Sequence, residues 1–192
     1  FPIAAFEALN FRNKLFTPFI RYKLKRQAKN DQRRPILVHG NLLNSVAVVA
    51  RKECAQFEFI AGYVKELRKR GVKTVDFYIE FPNQKIQDFY SASLKDFPFN
   101  PKSFTWMGGY KSPELEHSLS RDYDVLIDLS EGRSIACDLL ISRIQAKWKA
   151  GRRFPDRDML LDLMLEVHDD DMRNLIHHLN NYLTSFNNLN AA

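Results

Sequence analysis

The sequence predicts an α/β protein: a three-layer sandwich with a mostly parallel, Rossmann-like sheet, preceded by a basic helical amino-terminal arm. Three observations carry that expectation. Residues 123–153 (YDVLIDLSEGRSIACDLLISRIQAKWKAGRR) read strand, helix, strand in about thirty residues, the size of a crossover unit between parallel strands. Strand-like and helix-like stretches then alternate along residues 45–189, the pattern that places helices on both faces of one sheet. Finally, residues 1–34 carry nine basic side chains against two acidic ones, a net +7, so the overall +6 leaves −1 for everything else.

The arm reads in two pieces. Ile3, Phe6, Leu9, Phe16 and Ile20 fall near one helical stripe, and Thr17-Pro18 interrupts it, since proline suits the first turn of a new helix rather than an interior. From Pro18 to Lys29, Phe19, Ile20, Tyr22 and Leu24 sit among lysines and arginines. Residues 30–35 read as a linker and 36–44 as an irregular lead-in.

The domain itself is expected over 45–189. Val46 to Ala50 reads as a short buried strand. Phe57, Ile60, Ala61, Val64 and Leu67 form a helical stripe, with Arg68 and Lys69 suiting the negative end of the helix dipole and Gly71 stopping it. A second strand runs over about 73–80. Residues 84–103, with prolines at 98 and 101, read as a short helix or loop, and Phe104 to Tyr110 as a short strand. Ser112-Pro113-Glu114 starts a helix. The run Val125 to Leu129 is apolar on both sides of one carboxylate, as an interior strand at 124–129 should be. Ser134 caps the next helix, in which Cys137 falls, and Cys54 is placed in the first. Further strands follow at 147–151 and 160–167, the latter near an edge because Asp162 interrupts it. Met172, Leu175, Ile176, Leu179, Leu183 and Phe186 then give a strongly amphipathic closing helix.

Several stretches, in order, resemble a known family: FTWMGGYKSPELE, YDVLIDLS, SRIQAKWKAG and NNYLTSFNNL. They are similar to an uncharacterised bacterial family, a domain of unknown function found mainly in Bacteroidetes. The resemblance implies a cytoplasmic α/β domain and supplies no catalytic residue or cofactor. A second, looser likeness joins YDVLIDLS and KWKAGRR to the amino-terminal half of heptosyltransferase-type glycosyltransferases. Here the first strand-to-helix loop, Arg51-Lys52-Glu53-Cys54, lacks the glycine and aspartate that family carries there.

Candidate chemistry is of two kinds. Loops beyond the carboxyl ends of the strands, where doubly wound sheets bind ligands, bring Arg51, Lys52, Arg133, Arg152 and Arg153, a basic rim for an anion or a solvated surface. No glycine-rich phosphate loop accompanies them. Asp128 reads as a general base or a sugar-hydroxyl acceptor, or else as an acceptor of backbone N–H groups from its own loop. Cys54 near a helix start reads as a thiol of lowered pKa or as a structural one. His168 to Asp171 reads as helix capping before it reads as a metal site. No catalytic residue, metal or cofactor is assigned.

The arm is the second kind. Arg12, Lys14, Arg21, Lys23, Lys25, Arg26, Lys29, Arg33 and Arg34, interleaved with aromatics, suit phosphate neutralisation and base stacking on RNA or a ribonucleoprotein assembly. The same composition suits an anionic membrane surface, and its apolar stripe suits docking on the domain or a partner protein. With two widely spaced cysteines and no long apolar run, the sequence leads to a cytoplasmic, non-enzymatic binding protein, with a partner-completed glycosyltransferase-like enzyme and a peripheral protein of the inner membrane surface as alternatives.

Overall fold

The computed structural model describes residues 18, 20–24, 26, 35, 36, 38, 42–81, 93–105, 109–131, 134–155, 157–167 and 171–185. Six strands form one sheet: β1 (Ser45–Arg51), β2 (Thr74–Glu80), β3 (Asp96–Phe99), β4 (Asp122–Leu129), β5 (Gln145–Arg152) and β6 (Leu163–Leu165). All neighbours are parallel, in the order β3-β2-β1-β4-β5-β6. The expected strand at 124–129 is β4, and it lies in the interior between β1 and β5.

Helices α1 (Phe57–Lys69) and α4 (Met172–Ser185) cover one face, and α2 (Pro113–Leu119) and α3 (Ile135–Arg143) the other. Each helix is specified locally. The stripe Phe57, Ile60, Val64 and Leu67 buries α1, and Gly71, at φ +89°, takes the left-handed conformation that ends it. Ser112 and Ser134 cap α2 and α3 through their hydroxyls. Met172, Leu175, Ile176, Leu179 and Leu183 are all buried, and the sixth residue of that stripe, Phe186, lies outside the described residues. Side chains also join α1 to α4: Met172 donates its N–H to Gln56 Oε1 (3.0 Å), and the Tyr63 hydroxyl donates to Asn180 (3.0 Å).

Four expectations are corrected. Residues 96–99, read as loop or short helix because of their prolines, form the edge strand β3. The carbonyls of Lys95 and Phe99 accept from the N–H groups of Phe77 and Phe81 (2.8 Å each), so Pro98, of the opposite parity, turns its missing N–H to the open side, the place where a strand tolerates proline. Phe104 and Tyr110 make a single antiparallel bridge instead of a strand. Cys54 lies in the β1–α1 loop, not in a helix. The last strand is shorter than 160–167, because Asp162 occupies the ladder itself: its carboxylate accepts the Lys149 N–H (2.7 Å) and its own N–H donates to the Lys149 carbonyl (2.8 Å). Ile36 extends this edge by donating to the Lys147 carbonyl (3.0 Å). Among the described residues no helix is long and apolar enough to cross a membrane.

Candidate functional site

The strand order reverses between β1 and β4, so the crevice beyond their carboxyl ends is where a sheet of this topology offers a ligand site. Two ion networks fill it. In the first, Arg51 at the end of β1 donates through Nε to Glu80 Oε2 at the end of β2 (2.9 Å) and pairs with Glu53 (3.5 Å). Glu80 is almost wholly buried and also accepts from the Ser134 hydroxyl and from the Cys137 thiol (3.4 Å). Ser134 meanwhile accepts from the N–H groups of Ala136 and Cys137. The amino terminus of α3, the ready-made anion site of such folds, is therefore occupied by its own cap and linked through it to Glu80.

The second network centres on Arg157, whose side chain is 4% exposed. Its Nη1 lies 2.7 Å from Asp128 Oδ2 and its Nε donates to Asp138 Oδ1 at 2.8 Å. Asp128 in addition accepts from the backbone N–H (2.9 Å) and hydroxyl (2.6 Å) of Ser130, an arrangement that makes it an organiser of its own loop. Beside it Gly151 is required: a Cβ there would stand 2.9 Å from both Cβ and the carbonyl oxygen of Asp128. Asp138, on the first turn of α3, has its carboxyl pushed up to about 6, because burial disfavours its charge and Asp128 repels it, against the pull of Arg157 and Arg21.

Of the basic rim expected from sequence, Arg51 is committed to Glu80 and Lys52 donates to Glu58 (3.1 Å) while lying 3.9 Å from the Phe57 ring centre. Arg153 pairs with Glu166 (3.6 Å), Arg152 is buried at the end of β5, and Arg133 lies outside the described residues. The rim is thus largely compensated from within. Cys54 does not gain the lowered pKa considered for it: burial and the carboxylate of Glu131, which accepts from its thiol at 3.2 Å, push it up. Burial and Glu80 push Cys137 further still. Of His168 to Asp171 only Asp171 is described, and it accepts the Arg173 N–H (2.9 Å) as a helix cap would.

Of the arm cations, Arg21, Lys23 and Arg26 fall within the described residues; Arg12, Lys14, Lys25, Lys29, Arg33 and Arg34 do not. The described arm is helical, and Leu24, 4% exposed, belongs to the core formed by α2, α3 and their face of the sheet, with Ile20 packed against it. Tyr22 (64% exposed) and Arg26 stand outward, whereas Arg21, exposed in part, also lines a cavity shared with Asp138. Ile20 and Leu24 are one turn apart, as are Tyr22 and Arg26 on the opposite side, the division that 3.6 residues per turn imposes.

Sequence reasoning passed over Glu80, Asp138 and Arg157. A lone acid inside the apolar run IACDLLI, and a carboxylate closing a buried strand, were signals for the first two. Arg157 gave none, because its partners lie 29 and 19 residues away.

The chain belongs to a family of unknown function, DUF6913, which matches residues 14–186 and so takes in the helical residues around Leu24. No curated protein and no solved structure matches it.

Proposed function

We propose that this protein is a non-enzymatic binding protein that presents the basic face of its amino-terminal helix to an anionic partner, with RNA or a ribonucleoprotein assembly first. One observation carries the reading: Leu24 anchors the apolar side of that helix in the domain core while Tyr22 and Arg26 face outward. Cations so placed neutralise phosphates, and an exposed tyrosine among them offers a stacking face for an unpaired base. The net +7 of residues 1–34 favours such a partner, and the internal pairing of the crevice cations leaves the arm as the stronger electrostatic feature.

Fluorescence anisotropy with a short single-stranded oligoribonucleotide tests this. Tyr22→Ala should weaken binding by about 1–3 kcal/mol, and Arg26→Glu should flatten the slope of log affinity against log salt by about one. Both positions are outside the core, so the fold should be unchanged. Deleting residues 1–34 is the poorer experiment, because it also removes Leu24. Binding that ignores both substitutions, or no binding at low salt, refutes the reading. Flotation with anionic vesicles identifies the membrane alternative.

The glycosyltransferase-like alternative draws on the strand order, and isothermal titration with nucleotide sugars separates it. A site tighter than about millimolar, roughly −4 kcal/mol, would require Arg51 to exchange Glu80 for a phosphate and would favour that reading. We place the protein in a bacterial cytoplasm, in keeping with two buried cysteines that remain thiols.

A further inference from the structure

Where the amino-terminal helix meets the domain there is a small cavity of about 30 Å³, lined by Arg21 and Leu24 from the arm, Asp138 from α3, and Pro155, Arg157, Met159 and Leu160 from the β5–β6 connection. It has room for about one or two water molecules. Among the described residues the groups around it do not balance evenly. Two carboxylates, Asp128 from β4 and Asp138 from α3, share the guanidinium of Arg157, and Arg21 is a further cation that acts on Asp138. Arg157 is buried, yet its Nη2 makes no hydrogen bond, so its donors are incompletely used even with both acids ionised. Cys137, one residue before Asp138, adds no compensating charge: its thiol is held neutral by burial and by Glu80.

We propose that Asp138 is a proton-controlled latch for the amino-terminal helix: protonated, it sits as a neutral group beneath Leu24 and the helix stays clamped; ionised, it becomes a second carboxylate on one guanidinium, and the seam loosens to let water reach it. Arg21 and Leu24 of the helix line one cavity with Asp138, and burial is the largest cause of its raised pKa; in the latch the helix supplies part of that burial. A group that binds its proton more tightly in the closed state makes closure tighter when the proton is on. The sign follows: the folded carboxyl titrates near 6, above the ordinary value of about 4, so the latch is fully set below about pH 4 and is lost as pH rises through about 6. Arg21 opposes the effect, since its charge favours the ionised form and restrains the loosening. The consequence for partner capture rests on the reading of the arm given above: loosening would give an anionic partner better access to Arg21 and Lys23.

The latch itself is tested without any partner, so its failure and the failure of that reading are separate results. Carboxyl carbon and Leu24 methyl resonances of the full chain are followed by NMR from pH 4.5 to 7.5. Asp138 should titrate with a midpoint near 6, and the Leu24 methyls should move with the same midpoint. Arg21→Gln, an exposed and mild change, should raise the Asp138 midpoint. Asp138→Asn, which keeps the neutral form permanently, should hold the Leu24 methyls at their low-pH positions throughout. A Leu24 signal that stays still while Asp138 titrates overturns the latch, as does an Asp138 that remains ionised down to pH 4.5 or a midpoint indifferent to Arg21→Gln.

Discussion

On one face of the sheet Val46, Val48, Phe77, Ile79, Val125, Ile127 and Trp148 meet Phe57, Ile60 and Val64 of α1 and Leu175 and Leu179 of α4 in an apolar cluster. On the other, α2 and α3 cover strands whose alternate residues are Asp76, Tyr78 and Glu80 on β2 and Asp128 on β4, with Lys149 on β5. Those polar groups are paired across the layer. The Tyr123 hydroxyl donates to Asp76 Oδ2 (2.6 Å) and shares a hydrogen bond with the Tyr78 hydroxyl (2.8 Å), Arg121 pairs with Asp76 (2.7 Å), and Lys149 Nζ donates to the Ile141 carbonyl (2.6 Å). Burial pushes the Tyr78 phenol up to about 12, so its hydroxyl keeps its proton at any physiological pH. The apolar face depends on volume, and related side chains can replace one another there at modest cost. The polar face depends on specific partners, and its cost of change is set by what is left behind.

The sharpest way to break that contrast is Arg157→Met. It strands two buried carboxylates and should cost about 3–5 kcal/mol in denaturant unfolding. Replacing the whole network in the triple variant Arg157→Met, Asp128→Asn, Asp138→Leu should recover most of that loss, because nothing charged remains uncompensated. Trp148→Ala on the apolar face should cost a similar 3–5 kcal/mol, but as a cavity that changes of polarity elsewhere cannot repair. If the triple variant is as unstable as the single one, the polar face is held by packing and the contrast fails.

A smaller effect should come from Gly151→Ala, where the new Cβ meets the Cβ and carbonyl oxygen of Asp128 and lies 3.2 Å from a methyl of Leu161. Backbone cannot yield as a flexible side chain does, so a loss of about 1–3 kcal/mol is expected. A thermal melt unchanged from the parent would mean that β4 and β5 separate freely there. Smallest is Tyr78→Phe, which deletes one hydroxyl while Tyr123 keeps its bond to Asp76; about 0.5–1.5 kcal/mol is expected. A loss several times larger would show the two tyrosines and Asp76 acting as one cooperative unit.

The layers, the interior position of β4, the caps Ser112 and Ser134, the stop at Gly71 and the buried stripes of α1 and α4 were legible along the chain alone. All are short-range properties, written in periods of 2 and 3.6 or in the conformational preference of one residue. Tertiary structure decided the rest. Pro98 lies in a strand only because that strand is at an edge with the proline turned outward. Leu24 reads as one more residue of a basic arm until the α2–α3 face is there to receive it. Arg51, Glu80, Asp128, Asp138 and Arg157 become networks only where crossover connections bring the carboxyl ends of separate strands together. Charge pairing depends on distances of a few ångströms, and the spacing of residues along a chain does not record them.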